Sequence, residues 1–158
     1  MLQAGAYAQT PDDENLKSPV DSEIRLPSYP KSGNLIPFDP GVRSSSRYFV
    51  DPGSVSTVGD GVARYTLVVV GAGGVQNVSY EGISCRTLEH RYYAFGRSDG
   101  SWSSVRSSEW RPIGNEDTNL RRVLYWNYFC PDRTYGGSAL DAINRLKNGV
   151  PFRELRSE

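Results

Sequence analysis

The stretch that decides the fold is residues 62–85, VARYTLVVVGAGGVQNVSYEGISC. It contains two runs rich in β-branched and aromatic residues, 62–70 and 75–85, separated by the small residues 71–74. Such runs are typical of strands, and a connection this short cannot hold the crossover that parallel strands require. The stretch therefore predicts an antiparallel hairpin.

The same pattern of short β-branched and aromatic runs continues on both sides of this hairpin. Further strands are predicted at residues 47–50, 88–95 and 101–110, with glycine-containing turns at 51–53 and 96–100. The short connections predict an antiparallel meander of about five strands.

Alternation assigns the residues of the predicted strand 88–95 to two faces of the sheet. One face is expected to carry Leu88, His90, Tyr92 and Ala94. The other is expected to carry Glu89, Arg91, Tyr93 and Phe95.

Helical spacing replaces alternation in the last third of the chain. Residues 119–129 repeat apolar side chains at intervals of three and four, after Thr118 as a candidate N-cap. A second helix is predicted from its N-cap Ser138 to its stop signal Gly149. Its residues expected to face inward are Leu140, Ile143 and Leu146. The fold class expected is α+β, a sheet with two C-terminal helices packed on it.

The beginning of the chain is expected to be the remnant of a signal peptide. Residues 1–8 end in Ala6-Tyr7-Ala8, the small-x-small pattern of a signal-peptidase site, before a polar stretch. No cysteine stands directly after the apparent cleavage point at Ala8, which argues against a lipid anchor. The alternative is an ordinary alanine-rich terminus.

Four segments are predicted along the chain. After the remnant at 1–8, residues 9–47 contain six prolines and predict an extended arm, disordered in its first part and docked in its second. Residues 48–150 are expected to form a single α+β domain, and 151–158 a tail.

The chain contains two cysteines, Cys85 and Cys130. An isolated pair in an exported chain usually forms a disulfide, and a lone pair without neighbouring ligands makes a poor metal site. We therefore expect a Cys85–Cys130 disulfide and a periplasmic location. The alternative is two buried free thiols in a cytosolic protein.

Charge and hydropathy exclude several partners. The 18 Lys and Arg residues balance 18 Asp and Glu residues, so no overall field attracts the chain to nucleic acid or an anionic membrane. The apolar run 67–70 is far shorter than the roughly 20 residues that span a bilayer. We expect no nucleic-acid partner, no transmembrane segment and no metal site.

Residues 66–74 imitate a strand that enters a glycine-rich phosphate loop. A dinucleotide site needs a helix after the glycines, since the N–H groups of its first turn hold the pyrophosphate. Residues 75–80 alternate instead, as a strand does. We expect no nucleotide and no other cofactor.

The single histidine, His90, is the basis of one enzymatic hypothesis. With Glu81 on the neighbouring strand as base and Arg91 or Arg86 as phosphate ligand, it would act as the acid of a small exported phosphodiester hydrolase, ribonuclease-like in chemistry. The simpler interpretation is a strand histidine with a structural hydrogen bond.

Aromatic and arginine residues gather in the predicted hairpin 91–102, a composition typical of interfaces. Its turn is expected to expose two charged side chains. The candidate binding residues are Arg91, Tyr93, Arg97, Asp99 and Trp102. The alternative is that the rings form the core of a small sheet.

Six ordered blocks of the sequence resemble the cryptic neisserial protein-like family. They are residues 34–38, 48–51, 61–69, 77–85, 93–102 and 128–131. The resemblance covers about residues 25–149. It implies an exported proteobacterial protein, described as a lipoprotein in some members, without an established activity or catalytic residues to carry over.

The function expected is therefore that of a non-enzymatic periplasmic binding protein, or an accessory protein of an envelope complex. Its partner would be another envelope protein or complex. The alternative is the hydrolase that uses His90 and Glu81.

The interpretation of residues 71–74 as a plain turn predicts that nucleotides do not stabilise the fold. NAD or ATP at millimolar concentration should leave the melting temperature unchanged in a thermal scan. A rise of several degrees that disappears in Gly73→Val would show that the loop holds phosphate.

Overall fold

The predicted hairpin lies at the centre of the sheet. The computed structural model describes residues 18–19, 23–58, 61–106, 108–114, 119–131 and 138–149. Strands β3 (Val62–Val70) and β4 (Gln76–Ser84) pair antiparallel in continuous register, from Val62 opposite Ser84 to Val70 opposite Gln76. This continuous register fixes which face of the sheet each β-branched side chain of the two strands occupies.

Seven strands form one sheet in the part of the chain that the structure describes. The remaining strands are β1 (Ile36–Phe38), β2 (Arg47–Val58), β5 (Glu89–Gly96), β6 (Trp102–Ser104) and β7 (Arg111–Pro112). They follow the chain in order from β1 to β6, and β7 pairs with the first half of β5. The prediction of an α+β fold built on an antiparallel meander is confirmed.

The predicted turn at residues 51–53 is wrong, because β2 continues through it with a bulge between Asp51 and Ser56. The hydroxyl of Ser54 replaces the regular strand pairing at this point. It donates to the carbonyl of Asp51 and accepts from the N–H of Thr66 on β3, each at 2.7 Å. A proline and a glycine therefore fit inside the strand, as they do at bulges elsewhere.

The predicted strand 101–110 is also wrong in its extent. Only Trp102–Ser104 pairs with β5 as β6, and the chain then leaves the sheet before Arg111–Pro112 returns to the start of β5 as β7. This irregular stretch lies along the sheet edge.

Pro37 in β1 occupies the opposite edge, where a missing N–H is tolerated.

The second half of the arm packs on one face of the sheet. Tyr29 and Leu35 contact a cluster formed by Val68, Val70 and Val78. The indole N–H of Trp102 donates to the carbonyl of Pro27 at 2.9 Å. Leu26, in the same part of the arm, is 38% exposed.

The other face of the sheet carries the helices. Helix α1 (Asn119–Val123) continues as a π-helical segment, Leu124–Phe129. The ring of Phe129 stacks on the ring of Tyr65, with centroids 4.8 Å apart. The predicted disulfide is present, with the Cα atoms of Cys85 and Cys130 5.3 Å apart. It joins the end of β4 to the end of the π-helical segment.

Helix α2 (Ala139–Asn148) begins at the predicted cap. Ser138 and Asp141 form a capping box, in which each side chain accepts from the backbone N–H of the other. The expectation that Leu140 faces inward is wrong, since it is 62% exposed. At 100° per residue Leu140 lies about 120° from the buried Leu146, and Ala142 occupies the inward position instead.

Several predictions fall outside the described residues: the remnant at 1–8, most of the first part of the arm, the cap Thr118 and the tail 151–158. The limits of the predicted segments stay predictions. Among the helices of the described residues, none is long and apolar enough to cross a membrane.

The two leucines of α2 test its orientation directly. Leu146→Ala should lower the free energy of unfolding by about 2 to 5 kcal/mol, because it empties a packed site. Leu140→Ala is the matched control and should change it by less than about 0.5 kcal/mol. Equal losses in urea unfolding would contradict the helix orientation.

Candidate functional site

A bulge in β5 decides which side chains reach each face of the sheet. Tyr80 lies opposite Ala94, whereas the next residue, Glu81, lies opposite Tyr92, so Tyr93 is an extra residue. The expected alternation along β5 therefore holds through Tyr93 and is wrong from Ala94 onward. Ala94 joins Tyr93 on the arm face, while the ring of Phe95 lies 5.0 Å from that of Tyr92 on the helix face.

Glu81 is completely buried at the centre of the helix face. Its carboxylate accepts from the hydroxyl groups of Tyr65 and Ser79 and from the guanidinium of Arg121. A buried carboxylate is tolerated when it is paired and its oxygens accept hydrogen bonds. Both oxygens of Glu81 meet this condition.

Arg121 brings the positive charge from helix α1. Its Nε donates to Glu81 Oε1 at 2.9 Å, and its Nη2 donates to Glu81 Oε2 at 3.2 Å and to the Tyr92 hydroxyl at 2.6 Å. Burial lowers the pKa of Arg121, but the charge and hydrogen bonds of Glu81 more than offset burial and raise it overall. Arg121 therefore stays charged in the folded protein.

Tyr65 is the third member of this buried network, and its hydroxyl donates to Glu81 Oε1 at 3.2 Å. Burial raises its pKa well above the ordinary value, and the negative charge of Glu81 raises it further. The phenol therefore stays protonated and continues to donate to Glu81.

His90 lies on the helix face, where it is 3% exposed. It is opposite Ile83 on β4 and opposite Arg111 on β7, and its ring meets that of Tyr92 edge-on at 5.6 Å. The expected partner, Glu81, is held by Arg121 instead. The geometry thus gives Glu81 a structural role and no exposed oxygen with which to accept a substrate proton.

The predicted binding residues Arg91 and Tyr93 lie on the arm face. Tyr93 is 5% exposed and covers Gly82, where an added Cβ would be 2.5 Å from its hydroxyl oxygen. Arg91 stacks between the rings of Tyr93 and Trp110, 5.1 and 5.8 Å from their centroids. Tyr93 is thus a core ring, which leaves Arg91 and the turn as the accessible part of the predicted surface.

The turn between β5 and β6 exposes Arg97 and Asp99, as expected. Asp99 accepts from the hydroxyl and the backbone N–H of Ser101, and these bonds lower the pKa of its carboxyl. Tyr29 from the arm donates to the carbonyl of Arg97 at 3.1 Å. Trp102 is half-buried beneath the turn, with its ring 5.3 Å from that of Tyr29. Of the five predicted residues, Tyr93 is thus a buried ring, Arg91 is a partly exposed side chain stacked on it, and Trp102 supports the turn that exposes the other two.

Sequence reasoning missed Arg121, which organises the buried site. The available signal was an arginine within an apolar helical stripe together with a glutamate in a β-branched strand. Each of these charges needs a partner if it is buried.

Within the described residues, no group of three His, Cys, Asp or Glu side chains gathers as a metal site.

A model of the CNP1-like family matches residues 14–147, which span every strand and nearly all of α2. The chain belongs to the CNP1-like family. The predicted family resemblance is therefore confirmed. Among curated proteins, the chain is similar to cryptic neisserial protein 1 of Neisseria gonorrhoeae (strain ATCC 700825 / FA 1090), with 26% identity over 162 residues, 89% of this chain and 77% of that protein. No solved structure matches the CNP1-like chain.

The buried phenol of Tyr65 predicts a pH dependence of stability. Because its folded pKa is raised, its contribution is fully present below the unfolded pKa near 10 and decreases as the pH rises above it. Between about pH 10 and about pH 11, the free energy of unfolding of the unchanged protein should fall as the pH rises. In Tyr65→Phe this fall should be shallower by up to about 1.4 kcal/mol per pH unit. Identical slopes for the two proteins in denaturant titrations would show that Tyr65 ionises normally.

Proposed function

We propose that this CNP1-like protein is a non-enzymatic binding protein of the periplasm that serves an envelope complex as an accessory component. We place its partner contact at the turn between β5 and β6, with Arg97 and Asp99 as the residues that meet the partner. The observation that carries the partner contact is the way in which the turn is held.

Hydrogen bonds hold the backbone of the turn, while the side chains of Arg97 and Asp99 are exposed to solvent. Arg97 donates its N–H to the carbonyl of Ser101 at 2.8 Å, and Gly100 donates to Arg97 at 3.0 Å with a positive φ of 83°. The hydroxyl of Tyr29 and the side chain of Asp99 add the bonds described above. Binding at a preorganised turn costs little conformational entropy, which favours a role in recognition.

The buried network supports binding over hydrolysis. A general base must reach the proton that it abstracts, and Glu81 is fully buried and engaged by three side chains. No observation favours the hydrolase that would use His90 and Glu81.

The disulfide supports the periplasmic part of the proposal. Disulfides persist in oxidising compartments and are rare in the reducing cytosol. Cys85 and Cys130 are 1% and 0% exposed, so the bond is part of the core rather than an exposed reactive pair.

The proposal is tested by capture from envelope extract of the source organism. Arg97→Ala combined with Asp99→Ala should abolish or strongly reduce recovery of the partner in a quantitative pull-down. The thermal stability should change by less than about 0.5 kcal/mol, as is usual for exposed sites.

A matched control is available at the opposite edge of the sheet. Asp39 and Arg43 are also exposed, and Asp39 also accepts a backbone N–H two residues later, from Gly41 at 2.8 Å. Asp39→Ala combined with Arg43→Ala should leave the recovery unchanged. Unchanged recovery with the Arg97 and Asp99 variant, or equal loss with both variants, would remove the turn from the contact.

A further inference from the structure

A cleft lies on the helix face beyond the reach of the helices. It has a volume of about 450 Å³ and is bounded by β5, by the irregular stretch that follows β6, and by Arg121 of α1. This size is within the usual range of small-molecule sites. The backbone N–H of Tyr92 donates to the Ser108 hydroxyl at 3.0 Å, so one wall is fastened to the strand.

The apolar part of the cleft is produced by the β5 bulge. The bulge turns Phe95 towards the helix face, where its ring contacts Tyr92 and remains 44% exposed. Val105 also lines the cleft. Bulges often re-aim a side chain beside a functional site, and an exposed ring there gives a ligand apolar surface to cover.

The charged part of the cleft includes two guanidinium groups. Arg111 lines it together with a single carboxylate, Glu109, and Arg121 lines it while paired with Glu81. Arg91 also borders the cleft, but its guanidinium lies between the rings of Tyr93 and Trp110. Arg111 lies opposite His90, so its side chain leaves the sheet on the cleft face. This arrangement suits a group with one negative charge better than a dianion, which Glu109 would repel.

Arg121 forms the rear of the cleft and is already oriented. Its bonds to Glu81 and Tyr92 use Nε and Nη2, and among the described residues no partner engages Nη1. A guanidinium held in place loses little freedom when it binds a planar anion. Arg121 thus presents an already oriented guanidinium to the cleft.

We propose that this cleft binds a small organic monocarboxylate whose apolar body lies on Phe95 and Tyr92. The carboxylate is held by Arg121 and Arg111. This site is separate from the partner contact at the β5–β6 turn, so either proposal can fail without the other.

The test is an NMR titration of the full, disulfide-bonded chain with phenylacetate. Saturable shifts are expected at Tyr92, Phe95 and the Arg121 side chain. Phenylacetamide, which has the same shape without the charge, should bind at least about tenfold more weakly, because it lacks the charge-assisted hydrogen bonds. Inorganic phosphate should not displace phenylacetate at equal concentration.

Variants assign the contacts. Arg111→Gln should weaken phenylacetate binding about tenfold, whereas Arg43→Gln, the same change at an exposed arginine on the opposite edge of the sheet, should leave it unaltered. Phe95→Ala should weaken phenylacetate and phenylacetamide alike. The proposal is overturned by absent shifts, by equal binding of the acid and the amide, by displacement with phosphate, or by equal effects of Arg43→Gln and Arg111→Gln in folded variants.

Discussion

The ion pair between Glu81 and Arg121 is the constraint on which the rest of the structure depends. Glu81 is buried in the central hairpin, where an unpaired carboxylate would cost several kcal/mol, so the chain must bring a cation to it. Arg121 does so from α1 and thereby fixes the position of this helix on the sheet. The π-helical segment that follows then places Cys130 beside Cys85. The buried charge of Glu81 thus accounts for where α1 and the segment after it lie on the sheet.

The two faces of the sheet carry different features. On the helix face, Tyr92 joins the network through Arg121, and the cleft opens where the helices no longer cover the sheet. On the arm face, Tyr29 and Trp102 support the turn that exposes Arg97 and Asp99. The bulge at Tyr93 connects the two arrangements, because it sends Tyr93 into the core beneath the arm and Phe95 to the cleft.

Local signals were sufficient for much of this fold. Alternation and glycines predicted the β3–β4 hairpin, the capping residues predicted the start of α2, and the isolated cysteines predicted the disulfide. Features that depend on tertiary contacts were not predictable in this way. The continuation of β2 through Pro52 requires the Ser54 hydroxyl, and the position of Phe95 requires a bulge that the sequence does not mark. The partner of Glu81 lies 40 residues away, beyond any spacing rule.

A double-mutant cycle on the ion pair tests this account most directly. Glu81→Leu and Arg121→Met should each lower the free energy of unfolding by about 3 to 5 kcal/mol, because each leaves a buried charge without its partner. The double variant should recover most of this loss, which gives a coupling energy of at least about 2 kcal/mol in urea unfolding. Strictly additive losses would contradict the claim that Glu81 and Arg121 hold the helix on the sheet.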